Sequence, residues 1–134
     1  MKILLFIFVL LTKFVNAEVI DIDNRELTNL LEKKINIIDV RTQNEWKSTG
    51  IIKGSFLMSL LNKNKKFIFE DWYKMFNSKF GRNKSIIFIC ASGVRSNYIS
   101  NLVKKKKPDI TVYNLKRGIN SWIRSGYNVE RLSN

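Results

Sequence analysis

The chain has 134 residues, 45% of them hydrophobic and 26% charged, with 24 Lys and Arg against 11 Asp and Glu and a formal net charge of +13. That is the size and composition of one globular domain, with no room for a second. A lone cysteine, Cys90, excludes an internal disulfide or a dithiol relay, and the lack of any histidine excludes Cys-His and Ser-His-Asp catalysis and imidazole metal sites. No metal or cofactor is expected.

At the start, Lys2 precedes an apolar run from Ile3 to Leu11, and Val15-Asn16-Ala17 follows a break at Lys13. A basic start, a short apolar stretch and a small residue at a cut site predict a secretory signal peptide, residues 1 to 17, too short to span a bilayer. Cleavage after Ala17 would leave one domain over residues 18 to 134, exported and periplasmic, with no transmembrane segment after cleavage. An exported protein that keeps one unpaired thiol usually needs it. The basic excess runs through a chain rich in Lys, Asn and Ile, so it reads as background composition, and no nucleic-acid partner is expected.

Next, Val19-Ile20 reads as a first strand, and Asp23 with Glu26 three residues on is a capping-box pattern ahead of Leu27, Leu30 and Leu31 on one helical face. Residues 35 to 40 form a second strand ending in Asp39-Val40-Arg41. Glu45-Trp46 opens a short helical or turn segment closed by Gly50, and a turn and short strand follow around Gly54-Ser55-Phe56. Residues 59 to 67 are polar and read as a surface loop. Residues 69 to 80 are helical by the spacing of Trp72, Tyr73 and Phe76, which belong to the core, and Gly81 ends the helix.

The unbroken apolar run Ile86-Ile87-Phe88-Ile89 reads as a strand buried on both faces, and Val94, Tyr98, Ile99, Leu102 and Val103 mark a helix over 94 to 106. Lys104-Lys105-Lys106-Lys107 would be a solvated helix end before Pro108, where cations complement the dipole. A strand over 110 to 113 and a helix through Ile119, Trp122 and Ile123 complete an α/β domain with a mainly parallel sheet.

Cys90 thus stands where a strand becomes a helix. Ala91, Ser92, Gly93, Val94, Arg95 and Ser96 can aim backbone N–H groups at its sulfur, and Arg95 adds a full charge in the first helical turn. Glycine and polar residues there do nothing for a core; they suit an anion-cradling loop that favours the thiolate.

Two stretches, Asp39-Val40-Arg41-Thr42-Gln43-Asn44-Glu45-Trp46 continuing through Gly50 to Gly54-Ser55, and the Cys90 loop with Arg95-Ser96, resemble the rhodanese-like family of sulfurtransferases. Leu115-Lys116-Arg117-Gly118 with Trp122 is a third, weaker match. The resemblance spans residues 18 to 130 and implies a five-stranded, mainly parallel sheet flanked by helices on both faces. It also implies that Cys90 takes a sulfane sulfur from a small anionic donor such as thiosulfate, becomes a persulfide, and passes the sulfur to a thiol or cyanide. The amides of Ala91 to Ser96 would stabilise thiolate and persulfide, and Arg95 would pair with the donor's oxygens. Asp39 would brace the loop, while Arg41 with Glu45 would form an ion pair fixing the turn.

Two positions depart from the family pattern. Ile51 stands where histidine is usual and Arg117 where the first glycine is usual, which bears on donor preference, turnover and the pocket rim. Cysteine phosphatases use a loop one residue longer, with histidine before the cysteine. A second reading is a low-turnover persulfide carrier, redox sensor or interaction module, with a protein as sulfur donor or acceptor.

Overall fold

The computed structural model describes residues 18 to 133, so the expected signal segment lies outside the described residues. Five strands, β1 (Ile20–Ile22), β2 (Ile37–Asp39), β3 (Phe56–Leu57), β4 (Ser85–Ile89) and β5 (Thr111–Leu115), form one sheet in the order β1-β5-β4-β2-β3. Every pairing is parallel. Between and after them run α1 (Asn24–Glu32), α2 (Gln43–Thr49), α3 (Phe69–Phe80), α4 (Val94–Lys106) and α5 (Gly118–Arg124). Among the described residues no helix is long and apolar enough to cross a membrane.

The middle strand, β4, explains the layering. Residues 86 to 89 have no solvent exposure, and strand alternation sends them to opposite faces. Ile86 and Phe88 meet Trp72, Phe76 and Phe80 of α3 and Ile99 and Val103 of α4. Ile87 and Ile89 meet Leu27 of α1 and Ile119 and Trp122 of α5. Helices therefore cover both faces, and on the first face the rings of Trp72 and Phe76 stack 5.5 Å apart while Phe76 lies 5.7 Å from Phe88.

Helix α1 starts where Asp23 accepts from the Glu26 amide at 2.8 Å, which is half of the expected capping box. The complete box lies at α2. There Glu45 N–H donates to Thr42 Oγ1 and Thr42 N–H donates to Glu45 Oε2, satisfying amides at both ends of the first turn.

The lysine run needs correction. Lys104 is buried, and its Nζ donates to the carbonyls of Pro108 at 2.9 Å and Ile110 at 2.6 Å. It fastens the α4–β5 turn by its ammonium group, with the aliphatic stem covered. Lys107 reaches the Gly81 carbonyl and Lys106 pairs with Glu70, so only part of the run is a free solvated end.

Candidate active site

Strand β4 is flanked by β2 and β5, and Cys90 follows its last residue, so the sulfur lies at the carboxyl edge of a central parallel strand. Open α/β sheets bind ligands along that edge. The Gly93 N–H donates to Cys90 Sγ at 3.1 Å and the buried Ser96 hydroxyl donates to it at 3.2 Å. Cys90 itself has no exposure and also touches the α3–α4 core. Of the six loop residues proposed for the cradle, Gly93 and Ser96 thus touch the sulfur. Ser92 and Val94 are exposed, and Ala91 and Arg95 are half-buried.

Two glycines let the loop close this tightly. Gly93 has φ +92°, and a Cβ there would come within 2.0 Å of the Lys116 carbonyl. Gly118 has φ +67°, and its Cβ would fall 2.2 Å from the Ala91 carbonyl. Only glycine fits either place without backbone displacement. Behind Gly118, the Ile119 amide donates to Cys90 O at 2.9 Å and the Asn120 amide to Ala91 O at 3.1 Å. The α5 start therefore grips the carbonyls of Cys90 and Ala91, while the Gly93 amide is directed to the sulfur.

This clamp leaves no local signal in the sequence. Gly118 stands in the third matched stretch, but its contact with the loop requires knowing that β5 adjoins β4. Asn114 is likewise placed only by the strand order: from β5, its Nδ2 donates to Asp21 Oδ1 at 3.0 Å and approaches Gly93 O at 3.5 Å.

The acidic residues pair differently from expectation. Arg41 is buried and bonds not to Glu45 but to Asp39, with Nε and Nη2 on the carboxylate at 2.8 to 3.1 Å. Its remaining donors meet Thr49 Oγ1 at 2.7 Å and Gly50 O at 2.8 Å. Asp39 correspondingly braces Arg41 and the turn into α2, not the Cys90 loop. Two residues of separation at a strand end bring this pair together more directly than the four between Arg41 and Glu45.

Glu45 is then free to reach Arg95, whose Nη1 and Nη2 donate to it at 2.9 and 2.6 Å. The Arg95 guanidinium, with help from Thr42, holds the Glu45 carboxyl down from 4.5 to about 2. Arg95 is pushed up in turn, chiefly by Glu45 and to a lesser degree by the charges of Cys90 and Asp39. Expected to face a donor's oxygens, Arg95 instead ties the Cys90 loop to α2.

Neither departure from the family pattern intrudes on Cys90. Ile51 is buried, and its backbone bridges Glu130 in both directions, at 2.9 and 2.7 Å. Arg117 is exposed and lines a hollow of about 660 Å³ with Asp21, Asp23 and Arg25, on the β1 side of the loop.

The rhodanese-like domain model matches residues 23 to 125. An uncharacterised protein of Rickettsia prowazekii is 37% identical over 100 residues, covering 66% of this chain and 72% of the relative. A rhodanese-like domain protein of Staphylococcus aureus superposes with a TM-score of 0.65 at 25% identity, over 86% of this chain and all of that one. A Rhodopseudomonas palustris protein of unknown function, described as a possible tyrosine phosphatase, shares the fold alone, with a TM-score of 0.65 at 18% identity over 87% of this chain and 88% of that one. With its five-stranded parallel sheet and its Cys90 loop at the carboxyl edge, the chain belongs to the rhodanese-like domain family, a sulfurtransferase-type fold.

Proposed function

We propose that the protein moves a sulfane sulfur through a persulfide on Cys90. The observation that carries this reading is the pair of donors on Sγ, the Gly93 amide and the Ser96 hydroxyl, which stabilise negative charge on that atom before it accepts sulfur and again when it hands the sulfur on and leaves as the thiolate. With thiosulfate, the Cys90 thiolate attacks the outer sulfur, an S–S bond forms, and the bond to the sulfonate group breaks with its electron pair leaving as sulfite. An acceptor thiolate then attacks the outer sulfur of Cys90–S–SH, forming its own persulfide and returning Cys90 as the thiolate. No imidazole base is needed in either step.

Four residues separate Cys90 from Arg95, and Ile89 precedes the cysteine. A ring of amides that small suits a sulfur-bearing ligand better than a tetrahedral phosphate, which disfavours phosphatase chemistry. With Arg95 held by Glu45, recognition of an anionic donor falls to the amides at the α4 start and to the surrounding positive field. That arrangement also accommodates polysulfide or protein persulfide donors, the carrier reading.

Intact-mass analysis after incubation with thiosulfate or a polysulfide tests the proposal. One added sulfur, about 32 Da in the thiol oxidation series, should appear on the wild type and be absent from Cys90→Ser. An unmodified wild-type cysteine with both donors would overturn the reading.

A further inference from the structure

Resting on the sulfur-transfer reading, we infer that the face formed by the start of α4 and the 62 to 67 turn is a docking surface for an acidic protein that presents a cysteine thiol as sulfur acceptor. Val94 is 72% exposed and Tyr98 54%, and one helical turn places them side by side. The Tyr98 ring meets Phe67 edge-on at 5.9 Å, so the apolar strip runs from the Cys90 loop onto the turn. Val94 directly follows the glycine whose amide holds the sulfur. Exposed apolar strips that adjoin a reactive group mark interaction sites more often than isolated surface residues do.

Charge identifies the occupant. The turn is ordered, with Asn62 N–H on Lys66 O at 2.8 Å and Asn62 Oδ1 accepting from the amides of Asn64 and Lys66 at 2.9 and 3.0 Å. It presents Lys63, Lys65 and Lys66, and no ion pair among the described residues engages them. Residues 46 to 108 contain fourteen basic side chains and two acidic ones, whereas seven of the eleven acids lie between residues 18 and 45. Half of those fourteen, Lys79, Arg82, Lys84 and Lys104 to Lys107, lie at the ends of β4 and α4 opposite the Cys90 loop, so the positive charge of this face is that of Lys63, Lys65 and Lys66. A partner with negative charge around its thiol would be steered there and oriented by the apolar strip.

The buried position of Cys90 strengthens the case. Small thiols must find an enclosed sulfur by collision, whereas a docked partner holds its thiolate at the loop mouth, and such positioning accounts for large rate factors. An anionic bilayer could satisfy the same lysines, but lipid over Val94 would seal the loop against thiols. Transfer itself needs no further reactant: the acceptor S–S bond forms as the Cys90 S–S bond breaks.

The test uses two short synthetic peptides, each with one cysteine and leucines, one rich in Glu and the other with Lys in place of Glu. Affinity is read by fluorescence anisotropy with the cysteines replaced by Ser. Sulfur transfer from the persulfide-loaded full chain is read by mass, with 2-mercaptoethanol as the small thiol. The acidic peptide should bind and react about tenfold or more better than the basic one at low salt, an advantage lost as the screening length shrinks. Tyr98→Ala, and the joint Lys63→Glu, Lys65→Glu, Lys66→Glu variant, should each cut that advantage by about tenfold and leave 2-mercaptoethanol unaffected. Equal transfer to both peptides, or an advantage indifferent to both variants, would overturn the docking surface while leaving sulfur transfer intact. Association with phosphatidylglycerol vesicles that the variants abolish, with no peptide preference, would make the face a membrane contact and equally overturn it. Variant-sensitive binding of the acidic peptide without any sulfur transfer would support a docking face but overturn the sulfur-transfer reading and the acceptor role with it.

Discussion

Arg41 and Arg95 each hold a carboxylate with two or more nitrogens, yet their surroundings are opposite. The Arg41–Asp39 pair is buried and spans two residues, and every Arg41 nitrogen that donates stays within the β2–α2 segment. The Arg95–Glu45 pair is half-exposed and joins residues 50 apart, linking the Cys90 loop to α2. The first is a local brace whose loss leaves a charge stranded in the interior. The second is a tie between two segments, screened by solvent and weak as a source of stability, but placed where it fixes the position of the reactive loop.

The largest effect should come from breaking the buried pair. Asp39→Ala leaves Arg41 without its counter-charge and should cost about 3 to 5 kcal/mol in urea unfolding. Replacing both partners, Asp39→Leu with Arg41→Met, should recover part of that loss, because no uncompensated charge remains. A cost below about 1 kcal/mol for Asp39→Ala would place the pair in the class of surface ion pairs instead.

Next in size is Gly118→Ala, whose Cβ meets the Ala91 carbonyl at φ +67°. Gly126→Ala is the control, with φ +83° but open space around it. Gly126→Ala should lose roughly 1 to 2 kcal/mol from backbone strain alone. Gly118→Ala should lose more and also slow persulfide formation, since the displaced atom belongs to the loop. Equal behaviour of the two variants in both unfolding and mass assays would show that the α5 clamp does not position Cys90.

Arg95→Lys sharpens the contrast further. Lysine keeps the charge but not the two-pronged contact with Glu45, so stability should change by roughly 0.2 to 1 kcal/mol. Because Arg95 acts through loop position, thiosulfate and a neutral polysulfide should both lose about tenfold in persulfide formation rate, about 1.4 kcal/mol of barrier. A loss confined to thiosulfate would return Arg95 to direct donor binding.

How far the sequence carries can be judged from particular elements. Strand β4 and helix α4 were legible because an unbroken apolar run and a 3.6-residue stripe are local signals, and α3 runs from Phe69 to Phe80 as its aromatic spacing implied. The place of Cys90 between strand and helix was legible from its neighbours alone. The partner of Glu45 was not: Arg41 lies four residues away, Arg95 fifty, and only the adjacency of β2 and β4 decides between them. The burial of Lys104 was not legible, because a run of four lysines looks solvated throughout, while the Pro108 turn folds carbonyls back over its first member. The Gly118 clamp depended in the same way on strand order, which hydrophobic periodicity does not encode.

The smallest expected effect concerns acid. Glu45 has its carboxyl at about 2 in the folded chain against an ordinary value of 4.5, so the unfolded chain binds its proton first as pH falls. The stabilisation from the Arg95 tie is therefore complete above about pH 5 and lost progressively as pH drops from there toward 2. Glu45→Gln cannot hold Arg95 by charge and should remove that part of the acid dependence, with little change in stability at neutral pH because the pair is solvent-screened. Unfolding midpoints of wild type and variant should converge as pH falls to about 2 and separate modestly above pH 5, limits set by where the folded and free carboxyls titrate. Parallel curves across that range would mean that the Glu45–Arg95 contact contributes nothing that protonation can remove, and that the loop is held by the Gly93 and Gly118 contacts alone.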